Sequence, residues 1–226
     1  MILVSLVLLA GCSPSDPADT PPPTDRGDPV DTAPLGASGD STAPAPCQVA
    51  IVTDIDETLT LSDQEWIQQL VDHSYDPVAR PDAVTLFQGY ADLGYRVRYV
   101  TARGEDMADD QARALTQAWL EAHGFQLVDP AEDLVLSEGI GAFGGDAAAY
   151  KTATLDAWVA DGWTHPYAYG NADTDVEAFA TAVPAEHLFV VGELADSYPE
   201  HPGLPDDEAF TSHLSWLDAV PVACAE

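Results

Sequence analysis

Lys151 is the only lysine in a chain of 226 residues that sets 39 Asp and Glu against 7 Lys and Arg. It lies between two acidic strings, DIDET at Asp54 to Thr58 and GNADTD at Gly170 to Asp175. A chain that has discarded lysine elsewhere keeps one where phosphate chemistry would need a cation. Phosphate monoesters hydrolyse very slowly unaided, so a catalyst must supply an aligned nucleophile, charge neutralisation and a proton for the leaving alcohol. Asp54 is the candidate nucleophile, a carboxylate able to attack phosphorus and form an aspartyl phosphate. Asp56, two residues on, is the candidate acid that protonates the leaving oxygen and then activates water. Thr101 and Lys151 are candidates to hold the remaining phosphate oxygens. A hard divalent cation such as Mg²⁺ takes oxygen ligands. Asp54, the backbone carbonyl of Asp56, Asn171 and Asp175 are the candidates for that shell.

The elements that must position these groups are legible in the apolar pattern. Val49 to Thr53 is a buried strand that ends at Asp54, and Arg96 to Val100 is a second that runs into Thr101. Helices are expected at Asp63 to Val71 and from Pro81 or Asp82 to Leu93, the latter stopped by Gly94. A long helix is expected over Glu105 to His123, closed by Gly124. Leu134 to Leu136 is a short strand. Asp146 is the expected cap of a helix that carries Lys151 and stops at Gly162. A strand at Pro166 to Tyr169 delivers GNADTD, followed by a helix from Thr174 to Val183, a strand at Leu188 to Val191 and a C-terminal helix near Pro205 to Val220. Strands alternating with helices imply an α/β fold, a Rossmann-like three-layer sandwich around a parallel central sheet. Ligands in such folds bind beyond the carboxyl ends of the strands, where Asp54, Thr101 and Gly170 all fall.

Four strings together resemble the haloacid dehalogenase-like superfamily, and within it the lipin and Nir type of domain. They are DIDETLTLSD from Asp54, GYRVRYVTAR ending at Arg103, YKTATL around Lys151 and YGNADTDVEAF from Tyr169. The resemblance spans about Ile51 to Leu194. It implies Asp54 as nucleophile, Asp56 as acid and base, Thr101 and Lys151 as phosphate ligands, Asn171 as a metal ligand and Asp175 as the acid that supports or joins it. Asp173 falls at a variable position. Arg103 matches a family arginine or, equally, a structural ion-pair partner. Lipin-type enzymes dephosphorylate phosphatidic acid with Mg²⁺, whereas Nir-type relatives bind that lipid without hydrolysing it. The presence of both aspartates favours hydrolysis. The interval between Thr58 and the second strand holds two helices rather than a cap domain, so a capless, open site is expected, suited to a membrane-embedded phosphomonoester. Two other readings stay open: a non-catalytic phosphatidic-acid-binding module, and a broad-specificity envelope acid phosphatase.

The rest of the chain places that domain. Residues 1–12 resemble a lipoprotein signal segment: ILVSLVLLA is too short to span a bilayer, and Leu9-Ala10-Gly11-Cys12 resembles a lipobox, with Cys12 the lipidated residue. Residues 13–46 are Pro, Thr, Asp, Ala, Gly and Ser, a composition that cannot offset ordering entropy and predicts a disordered tether. Residues 47–226 are the catalytic domain. Cys47 and Cys224 bracket it and either close a disulfide or remain two separate thiols. These segments imply an envelope lipoprotein, monomeric and reaching the membrane through a lipid anchor. A net charge of −32 argues against nucleic acid as a partner. The six histidines share no metal-binding spacing. The five tryptophans are core candidates, Trp66 alone being close enough to the DIDET string to touch an acyl chain.

Overall fold

Alternation along each strand decides the architecture. In the computed structural model, which describes residues 47–205 and 208–224, Ile51, Tyr99, Tyr167, Tyr169, Phe189 and Val191 face one side of the sheet, and Val52, Val100, Ala168, Leu188 and Val190 face the other. Successive strand residues point to opposite faces, so each strand feeds two cores at once. The strands are β1 (Val49–Thr53), β2 (Arg96–Gly104), β3 (Leu134–Ser137), β4 (Thr164–Gly170), β5 (Leu188–Val191) and β6 (Gly203–Leu204). They pair in parallel in the order β3-β2-β1-β4-β5-β6. The chain winds outward in both directions from β1, which makes the carboxyl end of β1 the switch point where a crevice opens.

Helices cover both faces. The aromatic face packs under α1 (Asp63–Val71), α2 (Ala83–Asp92), α3 (Ala112–His123) and the C-terminal segment, with Phe87, Tyr90, Trp119 and Phe210 at its centre. The opposite face packs under α4 (Gly145–Ala160) and α5 (Asp173–Phe179) through Leu155, Trp158 and Phe179. This is the three-layer α/β sandwich that the element pattern predicts, and among the described residues no cap domain interrupts it. At the far edge of the sheet the buried Arg98 guanidinium stacks on Trp163 at 3.9 Å and on Trp158 at 4.7 Å, a cation–π arrangement that keeps a charge inside without a full set of hydrogen bonds.

Four sequence expectations are corrected. The long helix expected from Glu105 starts only at Ala112; Glu105 N–H donates to Ser137 O and Asp106 N–H to Gly139 O, which ties this segment to the neighbouring loop. The chain then turns through left-handed Ala108, Asp109 and Asp110 before helix can begin. Asp146 is not the cap of α4; it sits in the first turn, behind Gly144. The helix after GNADTD ends at Phe179, short of Val183. The C-terminal helix is only α6 (Ala209–His213), followed by a 3₁₀ turn over Leu214–Ala219, since Leu214, Trp216, Leu217 and Val220 must all reach the aromatic core.

Among the described residues no helix is long and apolar enough to cross a membrane. The signal segment, the tether and Cys12 lie outside the described residues. Cys47 and Cys224 are joined by a disulfide across a separation of 177 residues, and Ala223 N–H donates to Leu93 O beside it. Closing so long a loop removes unfolded-state entropy. Cys47→Ser with Cys224→Ser is expected to cost about 2–5 kcal/mol, read as a lower Tm. Reductant should lower the Tm of the parent and leave the double variant unmoved; a parent insensitive to reductant would show that the clasp adds nothing.

Candidate active site

The loop after β1 is built to return on itself. Ile55 and Leu59, both fully buried, anchor its ends, and Leu59 N–H and Thr60 N–H both donate to Ile55 O. Glu57 takes a left-handed conformation at φ 56° to make the turn, and its carbonyl accepts from the Arg80 guanidinium at 3.0 and 3.1 Å. That closure brings the Thr58 hydroxyl back beside Asp54 Oδ2 at 3.3 Å and within 2.9 Å of Asn171 Oδ1. The last residue of DIDET is thus the bridge between the first and last strings, a role not read from the sequence.

Lys151 reaches in from α4. Its Nζ donates to Asp54 Oδ1 at 2.7 Å and to Asp175 Oδ1 at 2.5 Å. Asp175 Oδ2 accepts from the backbone N–H of Asn171 and of Ala172, at 3.0 and 3.1 Å, and so holds the start of α5. A Cβ at position 170 would collide with the Asp175 side chain, which is why the string opens with glycine. Both oxygens of Asp175 already have protein donors, so it acts in this arrangement as the support behind Lys151. Asn171 has Oδ1 on Thr58 and donates from Nδ2 to Glu57 at 3.2 Å; an amide oxygen has a second lone pair free.

Asp56 is clamped. Arg103 donates to its Oδ1 at 2.7 Å and to its Oδ2 at 3.0 Å, and the Thr101 hydroxyl reaches Oδ2 at 3.2 Å. The same guanidinium donates to Thr116 Oγ1 at 2.8 Å and lies 4.1 Å from the Trp66 ring. Arg103 is thus the ion-pair partner of Asp56, and Thr101 faces Asp56 as well. Asp173 lies exposed at the edge and accepts from the Tyr198 hydroxyl. Asp54, Asp56, Thr101, Lys151, Asn171 and Asp175 converge at one end of the sheet, and Cys12 falls outside the described residues.

Asp54, Asp56, Lys151, Asn171 and Asp175 border a cavity of about 380 Å³, and Thr101 is buried behind it. Its wall carries the carboxylates of Asp54, Asp56, Glu57, Asp63, Asp173 and Asp175 against the one ammonium of Lys151. Burial raises Asp54 to about 7, against the pull of Lys151 and with the help of Asp175 and Asp56. Burial and neighbouring carboxylates also raise Glu57 and Asp63. Burial acts to lower Lys151, but the carboxylates of Asp175 and Asp54 outweigh it and hold the ammonium well above the ordinary lysine value. A phosphate dianion entering this wall meets more negative charge than one ammonium balances, so the donor chemistry fits a hard cation. Among the described residues no group of three or more His, Cys, Asp or Glu closes a metal centre by itself. The fitting set is mixed: a carboxylate, an amide oxygen and a backbone carbonyl, the kind of partial shell that a cation retaining several waters accepts.

A six-stranded parallel sheet covered by helices on both faces, with these four segments at its carboxyl edge, defines a Rossmann-like α/β protein. Within that class the chain belongs to the LNS2 domain family, since the family described as PITM 1-3, LNS2 domain matches residues 51–192. The chain is 25% identical over 177 residues to protein retinal degeneration B of Drosophila melanogaster, covering 77% of this chain and 13% of that protein. It is 26% identical over 145 residues to membrane-associated phosphatidylinositol transfer protein 3 of Mus musculus, covering 64% of this chain and 14% of the relative. The match therefore spans only a small part of those relatives. A solved structure, the cobalt-bound deoxy-D-mannose-octulosonate 8-phosphate phosphatase of Haemophilus influenzae, superposes with a TM-score of 0.47 at 16% identity, over 76% of this chain and 87% of that one.

The raised Asp54 gives the site a pH signature. The folded state holds that proton more tightly than an unfolded aspartate, which titrates near about 3.9. The resulting stability is complete below the unfolded value and is lost as pH rises through about 7. A divalent cation competes for the same oxygens, so its stabilising effect should grow across that window. Mg²⁺ is expected to raise Tm much more at pH 8 than at pH 5; equal shifts would remove Asp54 from the cation's shell.

Proposed function

We propose that this domain is a Mg²⁺-dependent phosphomonoesterase that acts through an aspartyl phosphate on Asp54, with phosphatidic acid or a related phospholipid as substrate. The observation that carries the reading is the buried Asp54 carboxylate, held by Lys151 and bordered by Thr58 at the floor of an acidic cavity. In the first half-reaction an Asp54 oxygen bonds to phosphorus as the bond to the leaving oxygen breaks, and Asp56 gives that oxygen its proton. In the second, Asp56 takes a proton from water, the water oxygen bonds to phosphorus, and Asp54 and inorganic phosphate are released. Lys151 and Thr101 hold phosphate oxygens through both steps. A divalent cation held by Asp54, Asn171 and the Asp56 carbonyl, with Asp175 behind them, would neutralise the phosphate oxygens.

Asp56 must leave Arg103 to face the substrate, by rotation about its own side-chain bonds into the cavity it already lines. That clamp favours a second reading, a module that binds phosphatidic acid without hydrolysing it, which suits relatives named for phosphatidylinositol transfer. Anchoring at the cell envelope through a lipidated Cys12 belongs to the same proposal and rests on the lipobox-like string.

Dispersed phosphatidic acid incubated with the purified protein should release phosphate only with Mg²⁺, and Asp54→Asn should lower kcat by at least about 10³-fold, the scale of a lost essential group. Full turnover in Asp54→Asn would dismiss it as the nucleophile. Saturable lipid binding without release would establish the binding module, and equal turnover of a soluble chromogenic ester would point to the broad-specificity phosphatase.

A further inference from the structure

A second cavity, of about 330 Å³, opens beside the acidic one and is used by no step of the proposed hydrolysis. It runs between α1 and the loop from Glu138 to Gly144, and its wall is Trp66, Ile67, Leu70, Met107, Ala142 and Phe143. Asp56, Asp63 and Ala102 line both cavities, so the two adjoin. The Arg103 guanidinium at the junction is already occupied by Asp56, Thr116 and the Trp66 face. The groove therefore offers apolar surface and no uncommitted positive charge from that arginine.

Its rim is apolar too. Ile67, Ile140 and Phe143 are 47%, 74% and 71% exposed, and Phe143 is the one large aromatic side chain so exposed among the described residues. Phe143 and Ile140 sit on one short loop whose backbone is fixed from behind: Ala142 N–H donates to Ala102 O, and a Cβ at Gly104 would collide with the backbone of Gly139 to Gly141. The packing thus presents these side chains outward. The charge of the molecule narrows what could cover them. With a net charge of −32 and Asp56 and Asp63 in the wall, a polyanionic partner is repelled. Adjacency to the acidic cavity narrows it further, to the apolar part of the molecule whose phosphate that cavity would hold.

We propose that this groove binds a hydrocarbon chain of the phosphate ester whose headgroup occupies the Asp54 cavity, so that the ligand is an amphiphilic monoester and the Phe143 loop meets the lipid surface from which it comes. The inference rests on the reading of the Asp54 cavity as a phosphate site. It adds that recognition extends along the chain, and that Ile67 and Phe143 set the preference for chain length.

The test is calorimetric binding to the parent protein, with Mg²⁺, of glycerol 3-phosphate and its monoacyl esters of increasing chain length, each as its non-hydrolysable phosphonate and below its critical micelle concentration. Affinity should tighten by roughly fourfold per methylene buried until the groove is filled. The double variant Ile67→Ser, Phe143→Ser should flatten that series by tenfold or more at its long end while leaving glycerol 3-phosphate binding unchanged. Because both residues are on the surface, its Tm should match the parent's. A flat series in the parent, with glycerol 3-phosphate still bound, would overturn the groove and spare the phosphate site. A steep series unaffected by the double variant would place the chain elsewhere and also overturn it. Binding of no member, glycerol 3-phosphate included, would overturn both readings together.

Discussion

A single ammonium shared between two buried carboxylates ties this structure together. Lys151 comes from α4 on one face of the sheet, Asp54 from the end of β1 and Asp175 from the first turn of α5, and Lys151 and Asp175 are essentially withdrawn from water. Burying a charge is costly unless it is paired and hydrogen-bonded, and removing one partner of a buried pair costs about 3–5 kcal/mol because the other is stranded. The three elements can therefore meet in only one register. That register gathers more negative than positive charge, and burial raises Asp54 towards neutrality. On the function proposed above, that imbalance would draw a divalent cation and, with one, a phosphate, so that one electrostatic arrangement would serve both stability and chemistry.

Around that centre each supporting contact controls one degree of freedom. Thr58 joins the β1 loop to Asn171, so the first and last strings move as one piece. Arg103 fixes Asp56 and is itself fixed by Thr116 and the Trp66 ring. Trp66 then continues into the apolar groove. A polar floor, a clamped carboxylate and an apolar trough thus follow one another along the carboxyl edge, the sequence of environments that a phosphate on an apolar chain presents.

Much of this is legible in the sequence, and the reason is local. The strands at Val49 and Leu188 are apolar runs, Asp54 and Asn171 directly follow the ends of β1 and β4, and Thr101 lies in the carboxyl-terminal half of β2, so a parallel fold brings the three to one edge. What could not be read depends on pairings distant in sequence. The grip of Arg103 on Asp56 spans 47 residues and that of Lys151 on Asp54 spans 97, and neither leaves a periodic trace. The break before Ala112 is of the same kind: the segment has helix-forming composition, but hydrogen bonds to Ser137 and Gly139 override it. The C-terminal 3₁₀ turn similarly follows from the aromatic core it must reach.

The central claim is that Asp54 becomes covalently phosphorylated. Asp56→Asn removes the base of the hydrolytic half-reaction along with the acid of the first, so the variant would be mixed with Mg²⁺ and p-nitrophenyl phosphate, whose leaving group needs no proton, quenched in acid and its peptides weighed by mass spectrometry. The account predicts one phosphoryl group on the peptide containing Asp54, absent when Asp54 is also changed to Asn. Phosphate released by an active parent with no such adduct at any quench time, or an adduct on another residue, would contradict it.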